Sequence, residues 1–211
     1  MTVALPQLIL IRHGETAWSR VGGKHTGTTD LALTQQGEES ARRLLPYFAD
    51  TPFARVLTSP MQRARQTCAL AGLDTQAQVS SDLSEWDYGE YEGRSTTDIH
   101  RDAPGWSVFR DGCPGGESPA QVSDRADRIV AEVLALEGNI ALFSHGQFSC
   151  ALAARWIGLA VIEGQHLALD PASVSVLGPK PGHPFVPVIT RWNIQVPQSD
   201  PFTEKARHVG L

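Results

Sequence analysis

Four consecutive large apolar residues, Leu8-Ile9-Leu10-Ile11, run straight into Arg12 and His13. An unbroken apolar run of this length predicts a strand covered on both faces, as in the interior of a mostly parallel sheet. Ile140-Ala141-Leu142-Phe143 repeats the pattern and ends in Ser144-His145-Gly146. Val56-Leu57-Thr58 reads as a shorter strand, Val79 and its neighbours as another, and Ala172–Leu177 and Phe185–Trp192 as two last ones.

Helical periodicity lies between these runs. Thr34 has the residue type of an N-cap before Gln35–Phe48, where Ala41, Leu44, Leu45 and Phe48 recur at helical spacing, with Pro46 placed to kink or end the helix. Ser59-Pro60 and Ser118-Pro119 each combine an N-cap residue with a proline suited to the first helical position. The second pair opens a helix to about Leu136, with Val122, Ala126, Ile129, Val133 and Leu136 on one face. A further helix, 147–157, is apolar all round and therefore buried. Residues 17–33 read as a loop. Residues 94–117 read as irregular, with one helical turn around Thr97–His100, and Pro197–Leu211 as a polar tail. Alternation of strands and helices predicts an α/β three-layer sandwich, one domain over 1–211, with a mostly parallel central sheet.

Composition narrows the partners. A chain of 211 residues with a net charge of −5 shows no general affinity for nucleic acid, so an anion site has to be a local cluster of arginines. Cys68, Cys113 and Cys150 are odd in number and widely spaced, which suggests reduced thiols in a cytoplasmic protein. The first strand follows Met1 too closely for a signal peptide, and no apolar run reaches membrane-spanning length. The seven histidines show no metal-ligand spacing, so neither a metal nor a cofactor is expected.

Chemistry gathers where strands end. Arg12 and His13, Arg63 after the second strand, and His145 all follow strand exits, the edge at which open α/β sheets bind ligands. Taken alone, an Arg-His pair after a strand is an ordinary surface turn; three such exits together suggest a phosphate pocket of two guanidinium forks and two imidazoles. Arg63 falls near a helix N-terminus, an unfavourable place for a cation unless an anion joins it. A neutral imidazole beside fixed positive charge has its pKa pushed below about 6.5 and keeps a lone pair for nucleophilic attack. Arg65 points elsewhere and reads as surface.

Arg12-His13-Gly14-Glu15-Thr16 resembles the signature of the histidine phosphatase superfamily, the phosphoglycerate-mutase-like fold. Thr58-Ser59-Pro60 leading to Arg63-Ala64-Arg65-Gln66-Thr67 is similar to the family's second arginine motif. Glu85 before Tyr88-Gly89 and Glu92-Gly93 is similar to its acid segment, and Ser144-His145-Gly146 to its second histidine. The ordered set spans roughly residues 7–177. The resemblance implies that His13 attacks phosphorus and carries a phosphohistidine, that Arg12, Arg63 and His145 hold the three non-bridging oxygens, and that Glu85 protonates the leaving oxygen and then activates water. Read from the residues alone, Glu85 is one carboxylate among Asp87, Glu90 and Glu92 on a solvated loop.

The substrate contacts expected on this basis are Arg12, His13, Ser19, Thr26, Gly27, Arg63, Glu85, Tyr88, His145 and Gly146. Ser19 stands where many relatives have Asn. Gln147 and Cys150 occupy the stretch where relatives that bind a further phosphate often carry Arg, which leaves Arg94, Arg101 or Arg110 for that role. Only 60 positions separate Glu85 from His145, which favours a hydrolase over the mutases and their longer insertion. Trp106–Ser118 is similar to a segment of family phosphatases acting on sugar phosphates, including the sedoheptulose-bisphosphatase-like branch. The expected partner is a small phosphorylated metabolite, and the resemblance adds a homodimer. The competing readings are a cofactor-primed phosphoglycerate mutase and a non-catalytic binding protein.

Overall fold

The computed structural model describes residues 5–20 and 23–196. In chain order its elements are β1 (Gln7–Arg12), α1 (Ala17–Arg20), α2 (Gln35–Arg42), α3 (Leu45–Phe48), β2 (Phe53–Thr58), α4 (Gln62–Leu70), β3 (Ala77–Val79), α5 (Thr96–Asp102), α6 (Val108–Asp111), α7 (Pro119–Leu134), β4 (Asn139–Ser144), α8 (Gly146–Trp156), β5 (Val174–Lys180) and β6 (His183–Ile194). Short segments of 3-10 helix join several of them.

The six strands form one sheet in the order β3-β2-β4-β1-β5-β6. β1 to β4 run parallel, whereas β5 is antiparallel to β1 and β6 to β5. Side chains alternate across a strand, and the core divides accordingly. Leu8, Leu10, Leu57, Ile140 and Leu142 pack on the side that also holds Val122, Ile129, Phe148 and Leu152 from α7 and α8. Ile9, Ile11, Val56, Ala141 and Phe143 pack with Leu44, Phe48 and Cys68 on the other face. The continuous apolar runs of β1 and β4 thus serve two cores at once.

Pairing of Arg12 with Ser144, and of Thr58 with Phe143, aligns the carboxyl ends of β1, β4 and β2 at one edge. Because β5 runs the opposite way, its beginning lies at that same edge, where the Ala172 N–H donates to the His13 carbonyl (3.0 Å).

Several boundaries differ from the periodicity. The expected helix Gln35–Phe48 is two, because Pro46 cannot continue α2 and instead sits in the first turn of α3. Thr34 does cap α2, accepting from the Gly37 N–H. Ser59 is not the cap of α4: Met61 occupies that position without a side-chain bond. Ser118 caps α7 in a reciprocal box with Gln121, a residue pair that raises the signal of Ser-Pro alone. In the stretch 94–117, the helical turn expected around Thr97–His100 is α5, longer than expected and capped by the Ser95 hydroxyl, and α6 lies where irregular chain was expected. The expected loop 17–33 begins with α1, whose first turn is closed by Thr16 and Ser19 bonding each other's backbone N–H groups (2.9 and 3.2 Å). The tail Pro197–Leu211, with Lys205 and Arg207, lies outside the described residues.

Candidate active site

A cavity of about 330 Å³ opens at the carboxyl edge. Arg12, His13 and Glu85 line it, with Ser19, Thr26, Tyr88 and Gly146. Arg63 and His145 are buried directly behind: neither side chain has exposed surface, and the rings of His13 and His145 lie 5.2 Å apart, edge to face.

The two imidazoles are wired differently. His13 Nδ1 is 2.7 Å from the Gly14 carbonyl oxygen. A carbonyl only accepts, so Nδ1 carries the proton and Nε2 keeps its lone pair. Burial, and after it the charges of Arg12 and Arg63, hold His13 well below the ordinary imidazole range. His145 accepts at Nδ1 from Arg63 Nε–H (3.1 Å) and lies with Nε2 2.7 Å from Ser59 Oγ. Arginine only donates, so this ring is also neutral, with its proton on Nε2. Burial is again the largest cause of its lowered pKa, followed by Arg63.

The guanidiniums differ as well. Arg12 Nη1 donates to the Leu169 carbonyl, while its Nε–H is buried without a protein partner. Three Nη N–H bonds of Arg12, which lines the cavity, remain for an acceptor. Arg63 donates to His145 and to the carbonyls of Thr29 (2.8 Å), Thr26 (3.1 Å) and Gly27 (2.9 Å), which leaves one of its five N–H bonds. Burial pushes both guanidiniums down from their ordinary range, and Glu85 opposes this in each.

Glu85, 8% exposed, sits at the N-terminus of α8. Its Oε1 accepts from the N–H groups of Trp86 (2.9 Å) and Phe148 (2.8 Å), and its Oε2 from that of Gln147 (3.0 Å). A carboxylate suits the positive end of a helix. The loop that carries it is clamped by Arg125 of α7, which donates to the carbonyls of Asp82 (2.8 Å), Ser84 (2.9 Å) and Glu85 (3.3 Å) and pairs with Glu117 (2.7 Å).

Close approach requires glycine at position 14, where a Cβ would lie 2.5 Å from the Gly37 carbonyl oxygen of α2, whereas a Cβ at Gly146 would meet the Arg12 guanidinium carbon tightly, at 3.3 Å. Gly146 is the seat of Arg12.

The family model of the histidine phosphatase superfamily (branch 1) matches residues 8–195. The chain belongs to the histidine phosphatase superfamily. It is 46% identical over 186 residues to an acid phosphatase of Mycobacterium tuberculosis, covering 84% of this chain and 89% of that one. It is 35% identical over 189 residues to sedoheptulose 1,7-bisphosphatase of Saccharomyces cerevisiae, covering 74% and 69%. The solved structure of an open reading frame from Mycobacterium tuberculosis superposes with a TM-score of 0.84 at 38% identity, covering 91% of this chain and 99% of that one. With this membership and these relatives, the protein is a phosphoric monoester hydrolase of the histidine phosphatase superfamily.

Within this member of the superfamily, the other expected contacts fall unevenly. Tyr88 and Thr26 line the cavity; the Thr26 hydroxyl donates to the Lys24 carbonyl (3.1 Å). Ser19 lines it too, but its hydroxyl is spent on the turn with Thr16. Gly27 is buried away from the cavity. Its N–H donates to Glu92 (2.9 and 3.0 Å) and its carbonyl accepts from Arg63, so it supports that arginine. Arg94, Arg101 and Arg110 do not line the cavity and pair with Asp102, Asp98 and Asp111. Gln147 and Cys150, in the stretch where relatives that bind a further phosphate often carry Arg, line the cavity, and so do His25, Thr96 and the Leu167–Leu169 segment, which were not expected there.

Proposed function

We propose that the protein hydrolyses phosphomonoesters of small metabolites, sugar phosphates or similar compounds, through a phosphohistidine at His13 Nε2. The observation that carries this reading is the Nδ1–Gly14 carbonyl bond of 2.7 Å, which commits the ring to the tautomer a nucleophile needs, in a cavity that Arg12 also lines. Arg12 takes phosphoryl oxygens through the Nη N–H bonds that the Leu169 carbonyl leaves free. Another oxygen draws on the fifth N–H of Arg63 and competes with Ser59 for the Nε2–H of His145. These groups stabilise the charge on the transferring phosphoryl group, the usual source of catalytic power in phosphoryl transfer. Nε2 attacks phosphorus as the ester oxygen departs in line and takes a proton from Glu85. Glu85 then removes a proton from the water that attacks phosphorus, and His13 leaves with its lone pair restored.

The test is rapid acid quenching with labelled substrate. An acid-labile adduct is expected in the wild type, none in His13→Ala, and turnover should survive EDTA because arginines and imidazoles supply the charge. An acid-stable adduct, or loss of activity on chelation that Mg²⁺ or Zn²⁺ restores, would contradict the mechanism. A cofactor-primed mutase would instead require 2,3-bisphosphoglycerate for turnover.

A further inference from the structure

Beyond the reacting end the cavity changes character. The His25 ring lies 4.6 Å from Tyr88 and 5.3 Å from Trp106, which is itself fixed by its Nε1–H on the Gly112 carbonyl (2.8 Å). Backbone bonds tie His25 to the segment after the acid loop: its N–H donates to the Arg94 carbonyl (2.9 Å), and its carbonyl accepts from Gly93 (2.8 Å). The result is a rigid aromatic wall. Thr96 Oγ1 and His25 Nε2, 3.1 Å apart, add a pair of polar atoms at the cavity. Either atom of that pair donates or accepts as the His25 tautomer changes, which suits a hydroxyl partner.

This wall is uncharged. Burial holds His25 at about 4, pushes the Cys150 thiol up to about 12, and raises the Tyr88 phenol well above its usual value. Away from the reacting end, the cation among the described lining residues is Lys24, an exposed side chain whose ammonium sits 5.7 Å over the Trp18 ring. Arg94, Arg101 and Arg110 are bound to carboxylates off the cavity. A second anionic group placed here would lose water beside the reacting phosphoryl dianion with little countercharge among the described residues to replace it.

Resting on the hydrolase reading above, we infer that the half of the cavity walled by His25, Tyr88 and Thr96 is a leaving-group subsite for an uncharged, hydroxyl-bearing or ring-shaped group, which makes the enzyme selective for monophosphates over bisphosphates and phosphorylated acids. Aromatic faces take the apolar side of such a group, and the Thr96–His25 pair takes a hydroxyl.

Matched pairs test this on the full chain: glucose 6-phosphate against glucose 1,6-bisphosphate, ribose 5-phosphate against ribose 1,5-bisphosphate, and glycerol 3-phosphate against 3-phosphoglycerate. p-Nitrophenyl phosphate serves as the control for the chemistry. The member with the uncharged leaving group should show kcat/KM at least about tenfold higher, a discrimination of the size that pocket contacts supply. If p-nitrophenyl phosphate is hydrolysed while the charged members match or exceed their partners, or while all uncharged members are inert, the subsite inference is overturned and the hydrolase reading stands. If nothing is hydrolysed, the hydrolase reading fails and the subsite with it. Lys24→Ala should move the ratio within each pair by less than about twofold, below the size of a pocket contact. A selective tenfold loss on the bisphosphates would put a distal anion on Lys24 and overturn the inference.

Discussion

At the end of β1, His13 gives its Nδ1 proton to the carbonyl of the glycine that follows. At the end of β4, one strand away, His145 receives a hydrogen bond at that same nitrogen from Arg63. Both rings follow a buried strand, both precede glycine, and burial lowers the pKa of both. Their partners separate them. His13 keeps a lone pair on Nε2 and stands at the cavity wall; His145 has both nitrogens engaged and no exposed surface. Even the glycines diverge, Gly14 fitting under α2 and Gly146 under Arg12. A strand-His-Gly pattern therefore delivers an imidazole to the edge, and its partners decide what it does: the next residue's carbonyl for His13, and Arg63 and Ser59, far away in the chain, for His145.

The sharpest way to break this comparison is to remove each ring in turn. His13→Ala should lower turnover by on the order of 10⁴-fold, as expected when a nucleophile is lost, and abolish the acid-labile adduct. His145→Ala should lower it by about 10²–10³-fold, the scale of losing one charge-stabilising donor, yet still form the adduct in a rapid-quench time course. If the adduct forms without His13, the roles assigned from the hydrogen bonds are reversed.

Glu85 offers the next test, because its place depends on a helix end and on Arg125 rather than on a strand exit. Glu85→Gln should cost about 10²–10⁴-fold on alkyl phosphates, the range of general acid catalysis, and much less on p-nitrophenyl phosphate, whose leaving group needs no proton. Arg125→Ala should show the same leaving-group dependence, weaker by roughly tenfold, since it loosens the loop without removing the acid. Equal losses on both substrates in Glu85→Gln would remove it from proton transfer.

What could be read from the residues follows the same division. β1 and β4 were legible because burial on both faces demands an unbroken apolar run, and that run ends where the polar groups begin. Arg12, His13, Arg63 and His145 were legible as a group because parallel strands bring their exits to one edge. Ser59 shows the limit. Ser-Pro is a good local cap signal, but a long-range partner, His145, sits at its hydroxyl and the helix begins later. His25 and Arg125 carried no local mark: the first acts by stacking on Tyr88 and Trp106, the second by reaching across to loop carbonyls. Gly27 was expected at the substrate, whereas its neighbours Trp86, Tyr88 and Glu92 leave no space for a side chain there.

Protonation gives a smaller effect that acts on both rings. Each is neutral in the fold well below 6.5, while in the unfolded chain each takes a proton near 6.5. Below pH 6.5 the unfolded state therefore binds more protons, and stability falls as pH falls, by up to about 1.4 kcal/mol per pH unit for each ring. The melting temperature should drop between pH 7 and pH 5, and, since burial also holds His25 at about 4, His13→Gln should flatten that slope by about a third if the three rings contribute alike. The acid limb of kcat/KM, which follows His13 in the free enzyme, should lie well below 6.5. An inflection at 6.5 would mean that His13 is not shielded.

The smallest expected change comes from Ser59→Ala. The hydroxyl of Ser59, in a fully buried residue, accepts from His145 Nε2–H (2.7 Å) and from the Met61 N–H (3.3 Å). Removing it orphans a donor on a buried ring, at a cost of about 1–3 kcal/mol, which in a chain of this size lowers the melting temperature by roughly 2–4 °C per kcal/mol. Catalysis should suffer less than tenfold, because Arg63 Nε–H still holds His145 Nδ1 as an acceptor and so still keeps the proton on Nε2. Freed from Ser59, that proton has one competitor fewer for a phosphoryl oxygen, so KM should not rise. A loss of kcat approaching that of His13→Ala would mean that the serine, and not the arginine, sets the state of His145, and the contrast between the two strand exits would have to be redrawn around Ser59.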